Sequence, residues 1–142
     1  MKAKHLLVSV LLATAWLAMP TVQAGEAENA ATASIDVNAA QDFVAMHEDA
    51  IVIDVRTPAE YETSHITDAV NVNVQDDSFA ETAAALDPDK TYIVHCTKNP
   101  ADGRSSRALE TLRELGFRNL YSLEGGYIAW KEAELPLTEA ED

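Results

Sequence analysis

The chain has 142 residues, 47% of them hydrophobic, and a single cysteine. That is apolar material for one core, too little length for two, and no intrachain disulfide. Ten Lys and Arg stand against 24 Asp and Glu, a formal charge of −14, which argues against nucleic acid and anionic membrane surfaces as partners.

Lys2, Lys4 and His5 precede an almost wholly apolar run from Leu6 to Met19, which gives way to Pro20 and the small-residue ending Val22-Gln23-Ala24. Charge, apolar run and cleavage site in that order predict a secretory signal peptide over residues 1–24, cut after Ala24. The run is short of the roughly 20 residues a membrane span needs, and no cysteine lies near the cut to carry a lipid. The expected location is therefore periplasmic or secreted, with no membrane attachment after cleavage. Removing 24 of the 142 residues leaves 118, and the loss of Lys2 and Lys4 takes the charge from −14 to −16. In an oxidising compartment a lone thiol is exposed to mixed disulfides and over-oxidation, so Cys96 invites the question of what it is for.

Residues 25–33 are small, polar and acidic and read as a flexible leader. Ser34 to Val37 suits a short edge strand. Asn38 is placed to cap a helix over residues 39–49, with Phe43, Val44 and Met46 or His47 as its apolar stripe. Ile51 to Val55 is a short apolar strand interrupted only by Asp54. Thr57-Pro58 sets a cap residue before proline at the first helical position and starts a short helix. Ala69 to Val74 is the next strand and Ser78 to Leu86 the next helix, ended by Asp87-Pro88-Asp89. Thr91 to His95 is β-rich. Ser105 to Leu115 is a strong helix with Gly116 at its end. Asn119 to Ser122 is a fifth strand, Gly125-Gly126 opens a last helix to about Lys131, and residues 138–142 form an acidic tail expected to be loose. Strands alternating with helices over residues 34–137 predict an α/β fold with a mostly parallel five-stranded sheet and helices on both faces. The reactive site of such a sheet lies beyond the carboxyl ends of its strands.

Cys96 stands at such a place, directly after Tyr92-Ile93-Val94-His95. Seven residues follow, Thr97-Lys98-Asn99-Pro100-Ala101-Asp102-Gly103, and then Arg104 and a helix. Backbone N–H groups of a loop closing on a helix N-terminus can cradle an anion and favour a thiolate, although Pro100 supplies no N–H. Arg104 would hold anionic substrate oxygens or brace the loop. From Cys96 to Arg107, Lys98, Arg104 and Arg107 face only Asp102, so the window carries +2 and the rest of the 118-residue chain −18. A buried, inert cysteine ending a core strand is the bland alternative, and the cationic window speaks against it.

Other candidates read more plainly. His95 adjoins Cys96, but neighbours in a strand point to opposite faces, so the two do not form a dyad. Cys96 with His47, His65 and His95 lacks the spacing of a metal site. Asp54 reads as an acceptor for loop amides at the reactive end of its strand. Arg56 and Glu60 read as an ion pair around the Thr57-Pro58 turn, and Tyr127 and Trp130 as packing residues.

The chain resembles the rhodanese-like domains from about Ile35 to Leu137. The resemblance is carried by Ile53-Asp54-Val55-Arg56-Thr57-Pro58-Ala59-Glu60-Tyr61 with His65-Ile66 and Ala69-Val70-Asn71-Val72; by Cys96 with Gly103-Arg104-Ser105-Ser106-Arg107-Ala108 and Leu112-Arg113-Glu114-Leu115-Gly116-Phe117; and by Leu123-Glu124-Gly125-Gly126-Tyr127-Ile128-Ala129-Trp130. It implies the rhodanese-like three-layer fold and a sulfurtransferase without metal or organic cofactor. The thiolate would take sulfane sulfur from an anionic donor such as thiosulfate, hold it as a persulfide, and pass it to cyanide or a thiol. By position Cys96 is the nucleophile and Arg104 the loop-closing arginine. Thr97, Lys98, Asn99, Ala101, Asp102, Gly103 and Ser105 would line the substrate. Three features depart from the pattern, one being Pro100, which removes an amide donor from the cradle. Common family loops place four residues between cysteine and arginine, related phosphatases and arsenate reductases five, and this chain seven. The usual Gly-His-Ile-Pro-Gly is Ser64-His65-Ile66-Thr67-Asp68 here. The wide loop keeps an oxyanion-cleaving thiolate enzyme, or a non-catalytic binding or redox-sensing module, as alternatives.

Overall fold

A computed structural model describes residues 32–99 and 103–141; the expected signal peptide, nearly all of the leader, and Pro100, Ala101 and Asp102 lie outside the described residues. Five parallel strands form the sheet: β1 (Ala33–Ile35), β2 (Ala50–Asp54), β4 (Val70–Asn71), β5 (Thr91–His95) and β6 (Asn119–Leu123), in the order β1-β6-β5-β2-β4. The α/β class with a parallel five-stranded sheet is as expected. β5 lies at the centre, in register with β2 from Ala50↔Thr91 to Asp54↔His95 and with β6 from Thr91↔Asn119 to Val94↔Ser122. Cys96 thus leaves the middle of the sheet at its carboxyl edge.

Alternation along the strands feeds two cores. Ile53, Val55, Tyr92, Val94 and Cys96 point to one face, where they meet Phe79 and Ala83 of α3 (Phe79–Ala84) and Ala108, Leu109 and Leu112 of α4 (Arg104–Glu114). Val52 and Ile93 point to the other, against Ala40 of α1 (Val37–Met46) and Trp130 of α5 (Gly126–Glu132). Such period-two strands, buried on both faces, are what parallel sheets covered by helices require.

The local signals were read correctly at one helix start and shifted at another. Thr57 caps α2 (Pro58–Thr63) in a full capping box: its hydroxyl accepts from Glu60 N, and its own N–H donates to the Glu60 carboxylate, with Pro58 at the first turn. For α1 the cap is Asp36, not Asn38; the Asp36 carboxylate accepts from Asn38 N and Ala39 N at 3.0 Å each. The strand expected over Ala69 to Val74 contracts to Val70–Asn71.

The segment Ser64-His65-Ile66 is a strand. β3 (Ser64–Ile66) pairs antiparallel with β7 (Leu137–Glu139), so the chain's acidic end is tied down through Glu139, where a loose tail was expected from residue 138. The turn that follows has Asp68 in the left-handed region, φ 65°. Asp tolerates that region better than most residues, which explains how this chain does without the family's glycine there.

Candidate active site

The strand-to-helix connection after β5 is held from three sides. On the first, α5 donates two N–H groups into it, Tyr127 N to Cys96 O and Ile128 N to Thr97 O, each at 3.0 Å. This close docking requires Gly126. A Cβ there would sit 2.6 Å from Cys96 O and 2.9 Å from Asn99 N, and the residue's φ is +61°. Gly126 therefore does more than open a helix: it lets the helix start touch Cys96 and Asn99.

The second side is ionic. Arg104, the first residue of α4, donates from Nη1 to Glu60 Oε2 at 2.8 Å, and from Nη2 to Thr97 Oγ1 at 2.7 Å and to Glu60 Oε1 at 3.4 Å. Thr97 Oγ1 donates to Glu60 Oε1 at 2.9 Å. Glu60 therefore joins the start of α2, the first loop residue and the first residue of α4. Partial burial pushes its carboxyl up, but the donors from Arg104, Thr57 and Thr97 outweigh that and bring it from 4.5 down to about 2. The expected Arg56–Glu60 pair does not form. Arg56 turns back instead to Asp54, with Nη2 at 2.7 Å and Nε at 3.0 Å from its carboxylate. It also donates to Ser64 O at 2.8 Å and lies over the Tyr127 ring, 4.1 Å from the centroid. A buried guanidinium needs a planar carboxylate partner, and the buried Asp54 is nearer than the half-exposed Glu60.

The third side is Asp54 with His95, on the sheet face opposite Cys96. The Asp54 carboxylate accepts from Arg56 N, so it serves the chain that follows it, as the strand-end position suggested. His95 Nδ1 lies 3.0 Å from Cys96 O. A carbonyl only accepts, so that nitrogen carries the proton. Nε2 is then an acceptor, 3.7 Å from Asp54 Oδ2. Burial pushes the imidazole down most, Asp54 and the Cys96 carbonyl pull it up less, and Arg56 pushes it down again, so the net shift is towards the neutral ring. His95 is thus a strut behind the cysteine and not its base.

Cys96 itself is fully buried (0%). Its Sγ lies 2.9 Å from Asn99 Oδ1 and 3.5 Å from Ser105 Oγ, and its N–H donates to Asn99 Oδ1 at 2.7 Å. Ser105 is also fully buried and sits in the first turn of α4, so the sulfur faces the positive end of an 11-residue helix. Of the residues expected to line a substrate, Asn99 and Ser105 reach the sulfur, and Thr97 turns to the Arg104–Glu60 pair. Lys98 is exposed. Gly103, at φ 70°, caps α4, while Ala101 and Asp102 lie outside the described residues. Sequence reasoning missed Glu60 as the partner of Arg104 and Gly126 as the close-approach position. The motif residues themselves were the only trace of both. A cleft of about 810 Å³ lies between His47–Ala50 and Asp87–Thr91. It is at the amino ends of β2 and β5, the end of a parallel sheet where reactive groups are not gathered.

A parallel α/β sheet that presents one thiol to a helix N-terminus, over a connection braced by an arginine, defines a class of cysteine-loop proteins. The family described as Rhodanese-like domain matches residues 31–133, and the chain belongs to it. Thiosulfate sulfurtransferase GlpE of Haemophilus influenzae is 33% identical over 106 residues, covering 74% of this chain and 95% of that protein. An uncharacterized protein of Synechocystis is 35% identical over 92 residues, covering 65% of this chain but only 49% of that longer protein. Among solved structures, a rhodanese-related protein from Thermoplasma volcanium aligns with a TM-score of 0.64 at 29% identity, covering 75% of this chain and 97% of that one.

Proposed function

We propose that this protein is an exported sulfurtransferase that carries sulfane sulfur on Cys96. The observation behind the reading is the seat of the sulfur: the carboxyl end of the central strand, against Ser105 in the first turn of α4. The naming of GlpE relatives as thiosulfate sulfurtransferases supports the same chemistry. With thiosulfate, the Cys96 thiolate attacks the sulfane sulfur, the new Sγ–S bond forms, the old S–S bond breaks, and sulfite leaves with the electron pair. Cyanide or a thiolate then attacks the outer sulfur and Cys96 regains its electron pair. In this reading the α4 N-terminus and the Ser105 hydroxyl stabilise the negative sulfur. Exposed Lys98 draws the anionic donor towards the mouth, and Arg104 braces the loop through Glu60 and Thr97.

Reduced protein mixed with thiosulfate is expected to gain the mass of one sulfur atom, and Cys96→Ser to gain none while keeping its circular dichroism. An unchanged mass on a thiol shown to be reduced overturns the proposal. The wide Cys96–Arg104 spacing favours a second reading, cleavage of an oxyanion substrate. Hydrolysis of an aryl phosphate that disappears in Cys96→Ser would support it. Against it, both terminal nitrogens of Arg104 already donate to Glu60 and Thr97.

A further inference from the structure

Among the described residues, Asn99 lies against the sulfur and is explained by neither the helix nor the arginine. It is 6% exposed, and both ends of its carboxamide are engaged. Oδ1 accepts from Cys96 N at 2.7 Å and lies 2.9 Å from Cys96 Sγ. Nδ2 donates to Val94 O at 3.2 Å and Ser122 Oγ at 3.1 Å. Two of these partners have only one role each. A backbone N–H can only donate and a backbone carbonyl can only accept. Turning the carboxamide over would set Nδ2 against Cys96 N–H and Oδ1 against Val94 O, so its orientation is determined by the backbone of β5 and the residue after it. The start of α5 closes on the same side chain: a Cβ at Gly126 would stand 3.1 Å from Asn99 Oδ1.

The consequence is electrostatic. A thiol can donate its S–H to Oδ1 at 2.9 Å. A thiolate would face a carbonyl oxygen that no flip of the carboxamide replaces by its donor end, and a hydrogen-bond acceptor disfavours the charged form of an acid. The described contacts therefore oppose one another at the sulfur, with the α4 N-terminus and Ser105 favouring the anion and Asn99 favouring the protonated form. We propose that Asn99 is a positioning residue that holds Cys96 as a thiol at rest, and that its side chain must leave Sγ before the sulfur becomes a nucleophile. The thiol-holding part stands on geometry alone; the link to turnover rests on the sulfurtransferase reading.

The test is a thiolate titration followed by ultraviolet absorbance on the reduced full chain, with Cys96→Ser subtracted as the blank. Asn99→Ala removes the acceptor and is expected to lower the thiol midpoint, raising the thiolate fraction at a fixed pH below it about tenfold. Asn99→Asp keeps an oxygen at the sulfur, adds charge and loses the donors, and is expected to raise the midpoint by at least as much. A lower midpoint in Asn99→Ala supports the proposal; an unchanged or higher one overturns it. Asn99→Asp is the control that residue 99 lies against the sulfur, since a new carboxylate there raises the midpoint on charge alone. Should Asn99→Ala not fold, Asn99→Ser takes its place with the same expected sign. Should neither removal variant fold, the unaltered protein decides: a thiol midpoint at or above that of a free cysteine supports the proposal, and one well below it overturns it. Thiosulfate loading of the unaltered protein is measured separately. Loading without a lowered Asn99→Ala midpoint removes the role of Asn99 and leaves the sulfurtransferase; a lowered midpoint without loading does the reverse.

Discussion

Replacing Gly126 by alanine tests whether the approach of α5 to the cysteine loop is as tight as described. Two costs combine. The residue's φ of +61° places an L side chain in the left-handed region, at about 1–2 kcal/mol, partly offset by about 0.4–1 kcal/mol from the stiffer unfolded chain. The added Cβ then meets two backbone atoms, Cys96 O at 2.6 Å and Asn99 N at 2.9 Å. Neither can swing aside as a side-chain tip could, and overpacking of this kind adds about 1–3 kcal/mol. Gly116 is the control: its φ is +93°, but a Cβ there meets nothing within 4 Å. Gly116→Ala should therefore cost about 1 kcal/mol and Gly126→Ala about 2–4 kcal/mol. The difference is to be read from urea midpoints of the two variants at unchanged m-value. Equal losses would refute the argument, since they would leave backbone conformation alone as the reason for glycine at residue 126.

Two further predictions concern charge and the turn. Glu60 has a folded pKa of about 2 against 4.5. Its contribution is therefore complete above pH 4.5 and lost as pH falls towards 2. The side chain is 35% exposed, which discounts the contribution to about 1 kcal/mol. Glu60→Gln should lower stability at pH 7 by that amount and flatten the acid limb of stability against pH relative to the unaltered protein. A parallel acid limb in the variant would show that the Arg104 pair does not hold the carboxylate. Asp68→Gly relieves φ 65° and should raise stability by up to about 1 kcal/mol, measured by thermal melts; a lower melting temperature would show that the Asp68 side chain contributes more than its backbone costs.

The architecture was readable because its signals are local. Alternating Val52, Ile53, Ile93 and Val94 declare a strand buried on both faces, and Thr57-Pro58 with Glu60 declares a helix start. The site was readable only in outline, because its decisive partners are far apart in sequence. Glu60 meets Arg104 across 44 residues, and no pattern distinguishes that pairing from the nearer Arg56, which the structure gives to Asp54. β3 and β7 stayed hidden for the same reason. They are three residues each, too short for periodicity to register, and their pairing sets His65 opposite Thr138, 73 residues further along the chain. Asn99 was placed in the loop correctly, but as one more amide donor; that its side-chain oxygen would turn inward onto the sulfur depends on Val94 O and Ser122 Oγ lying within reach.

The α5 amides bonded to Cys96 O and Thr97 O belong to the helix that also carries Trp130, which is buried and bonded from Nε1 to Pro136 O. The chain's other tryptophan, Trp16, falls within the expected signal peptide. In a chain lacking that segment, one indole remains, on the helix that two backbone hydrogen bonds join to the cysteine loop. Its emission spectrum is expected to report events at that loop in real time and without a dye.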